Sequence, residues 1–128
     1  MKLLNRSAFV VLPKEPFANW TNSLDVDADG LHQCLSLEEQ RREGTVYLIE
    51  EVNSEADFSQ VLLQQWLHIF QNELSAWDEL GDYWPHELTY ELFKQWFDVY
   101  PQIMTIDLSA QPLCESRSIT SCILALSR

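Results

Sequence analysis

Apolar residues recur with a helical period over the longest stretch of the chain and with the close spacing of strands on either side of it. Between Ser54 and Tyr100, Phe58, Leu62, Trp66, Ile69, Phe70, Leu74 and Trp77 follow one another at steps of three and four, and Val61, Leu63 and Leu67 widen the stripe. Asp57, Gln60, Gln64, His68, Gln71, Ser75 and Glu79 fall opposite. A wide apolar face with a polar back predicts a helix lying on a core. The pattern places it over about residues 55–80, with Ser54 as N-cap and Asp57 suiting the positive helix start. Such a helix spans roughly 40 Å. Gly81 is a natural stop. The segment GDYWPHELT then reads as a turn, because Pro85 disfavours helix at Trp84. Thr89 can cap a second helix, whose stripe is Tyr90, Phe93, Trp96, Phe97 and Tyr100, with Pro101 as its end.

The remaining segments are short. SAFVVL, residues 7–12, is β-branched and apolar and reads as a buried strand ended by Pro13. Residues 16–24 read as a short helix with Phe17 and Trp20 inward, and Pro near its first turn is tolerated. Residues 36–42 form another, with Ser36 at the cap and Glu39 three positions on. TVYLIEEV, residues 45–52, is the clearest strand, and its run Val46–Ile49 suits a central position covered on at least one face. QIMTIDL, residues 102–108, is a third strand, with Met104, Ile106 and Leu108 on one side. The order β, two short α, β, long α, α, β predicts an α+β fold: a small three- to four-stranded sheet with the long amphipathic helix and the aromatic helix packed on it. Residues 1–112 are expected to form a single domain, and 113–128 a C-terminal tail or a fourth edge strand built on the apolar run 119–126.

Composition sharpens this picture. With 128 residues and 46% hydrophobic content, one folded domain is the default. The formal net charge is −12, and it is unevenly placed. Residues 53–108 hold ten acidic side chains against a single basic one, Lys94. A surface of this sign repels nucleic acid and anionic membranes, and it attracts a basic protein or a divalent cation. Three widely spaced cysteines, Cys34, Cys114 and Cys122, form no CxxC pair, which points to a reducing compartment rather than a disulfide framework. The N-terminal apolar run is broken by Asn5 and Arg6 and is too short for a signal peptide or a membrane span. The expected location is the cytoplasm.

Candidate chemistry is sparse. No GxGxxG, P-loop, GxSxG or HExxH motif occurs. The string DVDADG, residues 25–30, matches the opening of an EF-hand loop and makes Asp25, Asp27 and Asp29 candidate calcium ligands, but the position of the bidentate Glu is Ser36. Glu73, Asp78, Glu79, Asp82 and His86 would form a mixed carboxylate–imidazole site if they converged where the turn folds back. His68, on the polar face of the long helix, reads as solvated. Eight of the fifteen aromatic residues lie between Trp77 and Tyr100. At helical spacing such residues fill the joint between helices and sheet. Alternatively, Trp77, Tyr83 and Trp84 are partly exposed and anchor a partner, with Asp78, Glu79, Asp82, Glu87 and Glu91 steering it.

At Trp84-Pro85, Phe93-x-x-Trp96-Phe97 and the closing Asp107-Leu108, the chain resembles small bacterial proteins of uncharacterised function over about residues 8–112. That resemblance implies a compact α+β domain and carries over no catalytic residue. The functional expectation is an acidic interaction module that docks a more basic protein. The alternative is a domain that binds a small molecule or a divalent metal, and homodimerisation through the aromatic face fits either.

Overall fold

The computed structural model describes residues 1–24 and 35–115. Its elements in order are β1 (Lys2–Leu3), β2 (Arg6–Pro13), α1 (Glu15–Ser23), α2 (Leu37–Arg42), β3 (Thr45–Glu50), α3 (Glu55–Ser75), α4 (Tyr90–Trp96), β4 (Phe97–Gln102) and β5 (Ile106–Asp107). The fold is α+β. Three antiparallel strands form the main sheet in the order β3-β2-β4, and β1 pairs antiparallel with β5 in a small second sheet.

Register decides which side chains share a face. Phe9 stands opposite Tyr47 and Pro101, and Val11 stands opposite Thr45 and Val99. With Ile49 and Phe97 these residues form the inner face, because side chains alternate along each strand. The helices pack there. Phe9, Val11, Phe17, Phe58, Ile69, Phe70, Leu74, Phe93 and Phe97 are all buried in one cluster. Phe70 of α3 is its centre, with ring centroids 5.7 Å from Phe93, 5.7 Å from Trp96 and 5.6 Å from Phe97. Phe17 of α1 closes on Phe97 at 4.7 Å. Most aromatics of the 77–100 stretch therefore do fill the joint between helices and sheet.

The helix starts follow from local chemistry. Ser36 Oγ accepts from Glu39 N–H, Ser54 Oγ from Asp57 N–H and Thr89 Oγ1 from Leu92 N–H, each satisfying an orphan amide of a first turn. The helix ends depart from the sequence reading. α3 stops at Ser75, so Trp77, Asp78 and Glu79 lie beyond it. Leu63 and Leu67 face solvent instead of widening the core stripe.

The second helix is also shorter than its apolar spacing predicts. It ends at Trp96, and Phe97–Gln102 is strand. Phe97 and Val99 turn inward while Tyr100 is 46% exposed, a period of two where a helix over the same residues would bury Tyr100 with Phe93 and Trp96. Pro101 lies within this strand, where it is tolerated because β4 is at the edge of the sheet among the described residues. The strand expected over 102–108 is reduced to the two residues of β5. Among the described residues β3 is likewise at an edge of the sheet: Tyr47 and Ile49 point inward, and Val46 and Leu48 stand 57% and 48% exposed on the outer face.

Polar links lock the remaining elements. Arg41 Nη1 of α2 donates to Asp98 Oδ2 at 2.9 Å and to the Pro13 carbonyl at 2.9 Å, and the Asp98 hydrogen bond holds the guanidinium pKa above its usual value. Gly44 permits the approach of α2 to β2, since a Cβ there would lie 2.3 Å from Leu12 Cδ2 and 3.0 Å from the Val11 carbonyl.

Candidate functional site

The stretch between α3 and α4, residues 77–89, is a folded turn built around Asp78. Asp78 Oδ2 accepts the Tyr83 N–H at 2.7 Å. The Asp78 carbonyl accepts both the Gly81 N–H at 3.2 Å and the Trp84 Nε1–H at 2.9 Å. Gly81 sits at φ +80°, in the left-handed region that favours glycine. The Trp20 indole of α1 donates to the Tyr83 carbonyl at 2.9 Å, pinning the turn to the body of the domain. The turn is thus rigid by its own bonding. That bonding also accounts for the early end of α3: the Asp78 carboxylate caps the following turn instead of lying in the last turn of the helix.

The eight residues expected to meet a partner divide into two groups. Trp77 is 41% exposed and Tyr83 is 68% exposed, and Leu80, which sequence reasoning did not single out, is 85% exposed between them. Glu79, Asp82 and Glu87 are also exposed, and none forms an ion pair among the described residues. Trp84 and Asp78 are half-buried and committed to the turn itself. Glu91 pairs with Lys94 at 3.4 Å on α4, and that ammonium also lies 4.7 Å from the Tyr90 ring centroid. Trp77, Leu80 and Tyr83 therefore rise from a rigid turn among Glu79, Asp82 and Glu87. The signal for Leu80 was an apolar residue directly between Glu79 and Gly81, outside the helical stripe.

The expected carboxylate–imidazole cluster does not form. Glu73 projects from α3 to the sheet, where its Oε2 accepts from Tyr47 Oη at 2.5 Å and from Thr45 Oγ1 at 3.0 Å. Asn72 Nδ2 donates in turn to Tyr47 Oη at 2.9 Å. Burial raises the Glu73 pKa, outweighing the two hydrogen bonds that lower it. Burial, and then the Glu73 charge, push the Tyr47 phenol up as well. Among the described residues no group of three or more His, Cys, Asp or Glu side chains is placed to hold a metal ion. Asp25, Asp27 and Asp29 lie outside the described residues, as do Cys34 and Cys122. Cys114 is an exposed free thiol.

A second feature was not legible in the sequence. A cleft of about 720 Å³ runs between β3 and α3. Consecutive residues Tyr47–Glu50 form one wall, and Val61, Gln65, His68 and Asn72 stand on the other. His68 belongs to this rim, with its Nδ1 3.2 Å from Gln65 Oε1. The signal was present only as a helical stripe of polar residues, and no local pattern tells which strand edge such a stripe will meet.

No helix among the described residues is long and apolar enough to cross a membrane. No protein-family model matches the chain, and comparison with curated proteins and with solved structures likewise found no match.

Proposed function

We propose that this chain is an acidic protein-interaction module that docks a more basic protein, in the cytoplasm, through the 77–87 turn. One observation carries the reading: three exposed apolar side chains, Trp77, Leu80 and Tyr83, share a rigid turn with three carboxylates that form no ion pair among the described residues. Trp and Tyr are the residues that most often dominate binding energy at interfaces. A turn already fixed by its own hydrogen bonds loses little conformational freedom on docking. Glu79, Asp82 and Glu87 steer a partner of opposite charge and set its orientation, while the aromatic pair supplies affinity once water is excluded. The overall charge of −12 makes nucleic acid and anionic membranes poor partners.

The test is capture of a partner on the immobilised protein at low salt, followed by the same capture with the Glu79→Lys, Asp82→Lys, Glu87→Lys variant. A stoichiometric basic protein that is held by the natural chain and lost by the variant is the expected result. A partner held equally by both sinks the proposal.

A further inference from the structure

We propose that the cleft between β3 and α3 is a binding site for an uncharged oligosaccharide. α3 runs back along β3, since Asn72 donates to Tyr47 and Thr45 donates to Glu73. The cleft follows the two elements, with Arg6 and Glu50 at one end and Tyr47 and Asn72 at the other. Tyr47 to Glu50 covers about 10 Å of strand, and Val61 to Asn72 about 16 Å of helix. The cleft is therefore elongated, and its volume of about 720 Å³ suits about two or three linked sugar rings. None of residues 77–87 lines it, so it is separate from the docking turn.

The lining selects the chemistry. Small-molecule pockets are usually walled by apolar and aromatic side chains. Here six lining side chains, Arg6, Glu50, Gln64, Gln65, His68 and Asn72, end in planar groups with more than one polar atom. Arg6 offers only donors, Glu50 only acceptors, and the three amides offer both side by side. A hydroxyl both donates and accepts, so neighbouring hydroxyls are the groups that such a mixed set can pair with throughout. Ile49, Val61 and Ile69 add apolar surface, which suits the C–H faces of a sugar ring. Arg6 and Glu50 bring one charge of each sign and stand opposite each other in register across β2 and β3. Their fields cancel at a distance, so the cleft attracts neither an anion nor a cation, although the chain as a whole carries a formal charge of −12.

Part of this set is held in place and part is free to bind. Tyr47 Oη donates to the Glu73 carboxyl and accepts from Asn72 Nδ2, which fixes the ring and the amide at one end. Groups already fixed lose little freedom when a ligand arrives. At the other end Arg6 and Glu50 form no ion pair among the described residues, and Arg6 gives only Nη1 to the Asn5 carbonyl. Gln64 and Gln65 are exposed on α3.

The experiment is a titration of the full-length isotope-labelled protein, read by its amide chemical shifts. The probes are maltotriose, cellotriose, mannotriose and triacetylchitotriose at millimolar concentration. At least one is expected to shift the amides of Tyr47–Glu50 and Val61–Asn72 and to leave those of residues 77–87 in place. Its affinity is expected to be the same at low salt and in about 1 M salt, because an uncharged ligand has no field to screen. Gln64→Ala, Gln65→Ala is expected to weaken binding about tenfold at an unchanged melting temperature, since both side chains are exposed. Methyl glycosides of the same sugars separate a free sugar, whose binding needs the reducing end, from a longer glycan, whose binding does not; either result supports the site. No shift with any of the four sugars overturns the proposal. Binding that weakens with salt, or that survives the double variant undiminished, overturns it as well.

Discussion

A carboxyl group held between helix and sheet costs stability unless it is bonded, and Glu73 shows how that cost is offset. Tyr47 and Thr45 donate to it, and Asn72 donates to Tyr47, so each polar group in the joint has a partner. Burial still wins, and the folded carboxyl keeps its proton above the ordinary value of 4.5. The native state then binds more protons than the unfolded chain between the ordinary and the folded value. Stability from this group is therefore full below the ordinary value and is lost as pH rises through the folded one. Glu73→Gln keeps an acceptor and removes the titration. Its melting temperature is expected to fall less than that of the natural chain as pH rises above the ordinary carboxyl value, and an unchanged slope would contradict the assignment. Tyr47→Phe leaves Asn72 and Glu73 short of a partner and is expected to cost about 1–3 kcal/mol in denaturant unfolding. Gly81→Ala forces a side chain into the left-handed region at φ +80°, at a cost of about 1–2 kcal/mol, although Trp84 leaves room for the methyl group itself.

At the scale of elements, what was legible in the sequence was what is local. Ser36, Ser54 and Thr89 each marked a helix start correctly, because a cap needs only its own first turn. Element ends were less legible, because tertiary bonds set them. α3 stops where Asp78 closes the next turn, and no periodicity records that. Phe93, Trp96, Phe97 and Tyr100 fit steps of three and four, but Phe97 and Val99 also fit a step of two, and pairing with β2 decides for the strand. The two readings separate by mutation. Phe97→Ala is expected to cost about 3–5 kcal/mol, since Phe97 is buried among Phe17, Phe70 and Phe93. Tyr100→Ala, on the outer face, is expected to cost less than about 1 kcal/mol by the same denaturant measurement. Comparable large losses at both positions would favour a helix. β1 and β5 were not foreseen as a pair, because two-residue strands leave no pattern.

At the scale of the molecule, charge and exposed apolar surface meet on the 77–87 turn. The carboxylates concentrate in residues 53–108, and this asymmetry was visible in the sequence from the count of charges alone. So was the presence of aromatic residues in the 77–87 turn. Their division of labour was not: Trp84 and Asp78 build the turn, while Trp77, Leu80 and Tyr83 are displayed by it. Only the hydrogen bonds separate the two groups. Steering by the acids depends on long-range fields and fades in about 1 M salt, where the screening length is about 3 Å. Affinity from the aromatic pair does not fade in that way. The most direct measurement is a calorimetric titration of the captured basic partner with the natural chain and with Trp77→Ala, Tyr83→Ala, at low and at high salt. The expected result is a loss of about 2 kcal/mol or more in the double variant at both salts, with the salt dependence itself unchanged. Unaltered affinity in that variant would contradict the account, because binding would then come from net charge alone and the turn would not be the docking site.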